Sequence, residues 1–153
     1  VVARDGATRN LTEYVPRPEL PNRGQFLATA RFVPPVIRPG QPIELQVTLH
    51  LPAGIHTYPI EAESGGMPTA IELGLPPQFL ATGAWIDPEQ GADAEGNLHG
   101  TIVFRRAFRW VEDAEIVDAS YALDVTVSFM PCTAAACYMP VQAHAKSHLH
   151  VGV

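Results

Sequence analysis

Lysine is nearly missing from this chain: Lys146 is the single one, beside nine arginines. Basic residues number 10 against 16 acidic ones, a formal net charge of −6 at pH 7. That balance lacks the basic face a phosphate backbone requires, so nucleic acid is not an expected partner. No apolar run approaches the roughly 18–20 residues of a membrane-spanning helix. Val1 opens the chain without a charged or apolar leader, so a mature or excised domain is expected, its targeting segment cut away. No stretch of ten or more residues carries a helical period. A serine nucleophile elbow, a phosphate-cradling glycine loop and an HExxH element are also missing, which leaves hydrolase and nucleotide-binding functions without residues. Cysteine is scarce, with 2 in 153 residues, a count that does not by itself fix the redox compartment.

What is present is a β pattern. Hydrophobic residues make up 46%, a globular composition, and the length suffices for one domain with a real core. Residues 1–24 are polar and broken by Pro16, Pro18 and Pro21, and read as an extended arm or linker ahead of a domain at 25–153. Strands are expected over Phe26–Val33, Ile43–Leu51, Ile55–Ile60, Thr69–Leu73, Phe79–Ala84, Thr101–Val111, Tyr121–Phe129 and Val141–Val151, parted by proline and glycine turns. Leu45, Val47, Leu49 and Leu51 alternate with Gln46, Thr48 and His50, the signature of a strand with one buried face. The alternation of Thr101–Val111 falters at Arg105-Arg106, which suggests a bulge. Residues 87–100 are acidic and glycine-rich and read as a long loop of the kind that often carries function. The sum is an all-β chain, expected to be an immunoglobulin-like antiparallel β-sandwich.

The two cysteines stand five positions apart, in Cys132-Thr133-Ala134-Ala135-Ala136-Cys137, on the connection between the last two strands. Met130-Pro131 and Met139-Pro140 bracket them. Crosslinking so short a loop stabilises a fold by roughly 2 kcal/mol, near the bottom of the usual range. Structural staples generally join distant segments. Reversible exchange needs two thiols that reach each other and one sulfur open to in-line attack, and a tight turn supplies both. A static disulfide meets the same spacing, and spacing alone does not choose between them. No Arg or Lys lies between Tyr121 and Ala145, and no helix N-terminus is expected nearby, so nothing local makes a strongly activated thiolate. A passive relay that reacts when a partner docks fits that setting.

Other residues carry weaker signals. Cys132, Cys137, Met130, Met139 and the histidines are ligands suited to Cu(I) or zinc, so a copper-binding module is an alternative, although Cys-x4-Cys is wider than the common zinc spacing. Both methionines serve equally as packing. His144, His148 and His150 share one face of the last strand, where a solvated polar face is the ordinary explanation. His56 and Tyr58 alternate with Ile55, Thr57 and Pro59 and belong on one sheet face.

Leu51-Pro52-Ala53-Gly54-Ile55-His56-Thr57-Tyr58 and Phe129-Met130-Pro131-Cys132 through Cys137-Tyr138-Met139-Pro140 together resemble the N-terminal domain of the bacterial transmembrane thiol:disulfide interchange protein DsbD. The likeness runs from about Gln25 to Val151, and its cysteine segment is the more specific part. It implies a periplasmic immunoglobulin-like domain that needs no cofactor. Such a domain takes electrons from a membrane-embedded donor domain or thioredoxin-like redox proteins and passes them on by thiol exchange, the activity of a protein-disulfide reductase. It implies that Cys132 and Cys137 are the redox pair, with Cys137 forming the mixed disulfide, and that His56, Tyr58 and Tyr138 neighbour them. It also implies a cap over the disulfide, at Asn97, Leu98 and His99. Leu98 and His99 stand where the family has Phe or Tyr, and Met139 separates Tyr138 from Pro140. The remaining alternative is a non-catalytic β-sandwich interaction module with a structural disulfide.

Overall fold

A computed structural model describes residues 25–61, 67–111 and 119–152, and the expected arm over residues 1–24 lies outside them. Every element among the described residues is a strand: β1 (Leu27–Val33), β2 (Val36–Ile37), β3 (Pro42–His50), β4 (His56–Thr57), β5 (Ala70–Gly74), β6 (Phe79–Ala81), β7 (Leu98–His99), β8 (Thr101–Trp110), β9 (Ala119–Phe129) and β10 (Val141–Val151). They form one four-stranded sheet in the order β1-β3-β8-β6, a second in the order β2-β10-β9-β5, and a two-stranded ribbon of β4 and β7. All pairs are antiparallel except β2 with β10, which is parallel. The chain is all-β, and its layout is consistent with a β-sandwich.

The period-2 pattern explains which faces meet. Ile43, Leu45, Val47 and Leu49 on β3, Ile102, Phe104, Phe108 and Trp110 on β8, and Leu123, Val125, Val127 and Phe129 on β9 all enter one core. Val141, Ala143, Leu149 and Val151 of β10 join them, while His144, Lys146 and His148 face outward. Aromatic contacts bind the two sheets. Phe26 meets Phe129 edge-on at 5.2 Å between ring centres, and Trp110 meets Tyr121 at 4.8 Å. Such pairs contribute about 0.5–1.5 kcal/mol beyond the area they bury.

Four expectations are corrected. The bulge at Arg105-Arg106 is not there: β8 pairs β3 in unbroken register from Pro42↔Arg109 to His50↔Thr101. Arg106 occupies an inward position but escapes at the flank, donating to the Gly83 carbonyl at 2.8 Å with its guanidinium over the Trp85 and Phe108 rings. A charged residue thus interrupts the hydrophobic pattern without interrupting the strand. The strand expected over Ile55–Ile60 is reduced to His56–Thr57 and the one over Phe79–Ala84 to Phe79–Ala81. The loop at 87–100 contains β7.

The register puts the site at one end. Leu27 pairs with His50, His50 with Thr101, Ala70 with Ser128, and Val141 with Phe129. The connections β3–β5, β6–β8 and β9–β10 therefore emerge together.

Candidate functional site

The β9–β10 connection is built by its own main chain. Cys132 and Cys137 form an antiparallel bridge. The Thr133 N–H donates to the Ala136 carbonyl at 2.8 Å, and the Tyr138 N–H donates to the Pro131 carbonyl at 3.0 Å. The Thr133 hydroxyl accepts from the amides of Ala135 and Ala136, each at 3.2 Å. This turn chemistry is what small and hydroxyl residues between two cysteines permit. It brings the Cα atoms within 4.0 Å, and the sulfurs are joined in a disulfide.

The neighbouring connections hold one side of that turn. The His56 N–H donates to the Cys132 carbonyl at 2.8 Å, and the Cys132 N–H returns a bond to the His56 carbonyl at 2.9 Å. The Thr57 hydroxyl donates to the Met130 carbonyl at 3.0 Å. On its other edge β4 pairs with β7, His56 opposite His99 and Thr57 opposite Leu98. A narrow ribbon thus runs from the β6–β8 connection through β4 to Cys132, with Cys137 last.

The two sulfurs end in different surroundings. Cys132 is 0% exposed, whereas Cys137 lies in the exposed run Ala134–Cys137. Met139, two residues on, is 72% exposed. The Tyr58 hydroxyl sits 3.7 Å from each sulfur, and the Met130 carbonyl lies 3.8 Å from the sulfur of Cys132. The His56 and Tyr58 rings meet edge-on at 5.8 Å. Both side chains are half-buried, while Ile55 before them and Thr57 between them are buried, as alternation requires. Tyr138 packs half-buried against the core.

Asn97, Leu98 and His99 reach this ribbon from the far side. Leu98 is buried at 2% exposure within the core. The His99 ring lies 5.4 Å from that of His56 and bonds through Nε2 to Asp93 Oδ2 at 2.8 Å. Asp93 Oδ1 also accepts from the amides of Glu95 and Asn97, at 2.9 and 3.0 Å. The bond from His99 chiefly, with those amides behind it, holds the Asp93 carboxyl below its usual range. Gly91 makes the approach possible. Its φ is +95°, and a Cβ there would lie 2.6 Å from the His99 carbonyl oxygen.

Three supporting residues were not singled out from the sequence: Thr57, Asp93 and Asp87. Asp87 accepts from the amides of Ile60 and Glu61 at 2.7 and 3.2 Å and so ties the β3–β5 connection to the β6–β8 one. The stretch Asp93-Ala94-Glu95-Gly96-Asn97 does carry a turn signal, an Asp capping amides ahead of a glycine. Asp87 is marked only as part of the acidic loop at 87–100, and nothing in the sequence marks Thr57 as a support.

Chemically, the arrangement is a disulfide between a buried cysteine and an exposed one. Among the described residues no group of three or more His, Cys, Asp or Glu side chains could hold a metal ion. No protein-family model matches the chain, and neither a curated protein nor a solved structure matches it.

Proposed function

We propose that the chain is a periplasmic thiol–disulfide exchange domain of the DsbD N-terminal type, passing reducing equivalents through a reversible Cys132–Cys137 disulfide to a partner protein. The observation that carries this reading is the unequal exposure of the two cysteines, Cys132 buried and Cys137 exposed. Exchange requires an incoming thiolate to approach one sulfur in line with the bond it breaks, and Cys137 is the exposed residue of the pair. A sealed staple gains nothing from leaving a sulfur in solvent.

Strand order supports the immunoglobulin-like part of the proposal. Naming β1, β3, β5, β6, β8, β9 and β10 as strands A to G turns the two sheets into A-B-E-D and C-F-G, the constant-type arrangement. β2 then continues β1 across to the second sheet beside strand G. The disulfide occupies the F–G loop, flanked by the B–C and D–E loops.

The proposed reaction is a pair of thiol–disulfide exchanges. A thiolate of a reduced partner, a thioredoxin-like protein or a membrane-embedded donor domain, attacks Cys137 Sγ. The Cys132–Cys137 bond breaks, its electron pair leaves on Cys132 Sγ, and a mixed disulfide joins Cys137 to the partner. The partner's second thiolate then attacks its own bridged sulfur and releases Cys137. The domain has gained two electrons, and the partner has become a disulfide. Delivery to an acceptor runs these steps in reverse, with Cys137 attacking the acceptor disulfide and Cys132 resolving the intermediate.

Trapping tests the assignment. Reduced Cys132→Ser domain mixed with a disulfide-bonded thioredoxin-like partner should accumulate a mixed disulfide on a non-reducing gel. Cys137→Ser should not, because its remaining thiol is enclosed. Equal trapping by both variants contradicts the assigned roles.

A further inference from the structure

We propose that Tyr58 is a catalytic residue of this disulfide: its hydroxyl donates a hydrogen bond to Cys132 Sγ as that sulfur leaves as a thiolate. The inference rests on the exchange reading above and assigns it a group that stabilises the leaving sulfur.

The need arises from where Cys132 lies. Attack at Cys137 puts a full negative charge on a sulfur that is 0% exposed. Burial without a donor penalises the charged form and raises the thiol pKa, and a leaving thiol of higher pKa departs more slowly. Water does not reach this sulfur. The main-chain N–H of Cys132 is turned away, committed to the His56 carbonyl at 2.9 Å. The Met130 carbonyl, 3.8 Å away, can only accept, so it favours the thiol and opposes the thiolate. Among the described residues, the Tyr58 hydroxyl oxygen lies 3.7 Å from this sulfur, and a hydroxyl can turn its proton toward a thiolate.

Its position suits both halves of the exchange. The same oxygen stands 3.7 Å from Cys137 Sγ, so one hydroxyl serves whichever sulfur carries charge. During reduction it faces Cys132 as the leaving group. During delivery it faces Cys137 as the nucleophile. The side chain is held at its root, since Thr69 donates a hydroxyl hydrogen bond to the Tyr58 carbonyl and the ring rests edge-on against His56. A hydroxyl both donates and accepts, so it can turn its proton to either sulfur.

A chain of titratable groups leads away from Tyr58. His56 lies 5.8 Å away between ring centres, His99 stands 5.4 Å beyond it, and Asp93 bonds to His99 at 2.8 Å. The hydroxyl's effect on sulfur is therefore read across a range of alkaline pH.

The test is the reduction of the purified domain by dithiothreitol, followed in a stopped-flow instrument from pH 7.5 to 9.5, for wild type and Tyr58→Phe. Losing a hydrogen bond to a developing charge should slow reduction roughly tenfold. In a Cys137→Ser background, Tyr58→Phe should raise the pKa of the Cys132 thiol by about one unit, read from the pH dependence of its ultraviolet thiolate absorbance. A purely packing role predicts the opposite rate change, because a loosened ring admits water to Cys132 and speeds reduction. Equal or faster reduction by Tyr58→Phe, or an unmoved Cys132 pKa, overturns the proposal. Dithiothreitol is the only reductant used. If the domain exchanges with no protein partner, the relay reading fails while both Tyr58 readouts still stand.

Discussion

A disulfide that works as a switch must open without unfolding the domain that carries it, and the magnitude of that requirement can be worked out. The bond closes a loop of six residues, from Cys132 to Cys137. Loop-closure entropy then contributes about 2 kcal/mol at 25 °C, against nearly 5 for a hundred-residue loop. Reduction leaves other restraints in place: the paired main-chain bonds between His56 and Cys132, the Thr57 bond to the Met130 carbonyl, and a hydrophobic cluster that includes neither cysteine. Urea unfolding of the oxidised domain and of the same domain reduced with a phosphine should therefore differ by about 2 kcal/mol, with the same m-value because the same surface is exposed. For a chain of this length that corresponds to a fall in Tm of roughly 4–8 °C. A reduced form that is unfolded, or a loss above roughly 4 kcal/mol, would refute the reasoning and identify the bond as a structural staple.

Three further outcomes test the scaffold around the pair. Gly91→Ala places a Cβ 2.6 Å from the His99 carbonyl oxygen and 2.9 Å from Ile102 Cγ2 at a φ of +95°. It should cost roughly 1–3 kcal/mol in urea unfolding and speed amide exchange at His99, whereas unchanged exchange contradicts the close approach. Leu98→Ala should cost roughly 2–5 kcal/mol by the same assay, because Leu98 fills core space under β7, and a neutral effect would deny that packing. Asp93→Asn tests pH linkage: the wild-type carboxyl is held below its usual range by His99, so its contribution is present above the ordinary carboxylate pKa and is lost as pH falls through the lowered value. Wild type should accordingly lose stability more steeply than Asp93→Asn on acidification below about pH 4, and parallel acid titrations would contradict it.

Much of this layout was legible in the sequence, for physical reasons. β3, β9 and β10 each bury one face over nine or eleven residues, so their alternation is written in Leu45, Val47 and Leu49, in Leu123, Val125 and Val127, and in Val141, Ala143 and Leu149. β4 and β7 were not legible as a pair, since two residues carry no period and their pairing depends on loops meeting in space. β2 was hidden by Pro34-Pro35, and its partner β10 lies more than a hundred positions away. The position of the cysteine turn between the last two strands could be read directly. The inequality of its sulfurs could not, because both cysteines have small or apolar neighbours in sequence. It comes from the docking of His56 and Thr57 against Met130 and Cys132. Alternation alone made Tyr58 half of a pair on one sheet face, and the family resemblance put it beside the cysteines; its reach to both sulfurs is a product of that docking.

The most direct measurement is the reduction potential of the Cys132–Cys137 bond, taken by equilibrating the domain against graded glutathione or dithiothreitol ratios and quenching with acid before alkylation. An exchange domain should titrate within the span of known exchange proteins, roughly −120 to −270 mV. A bond that resists reduction below about −300 mV would contradict the switch and leave a structural crosslink in its place.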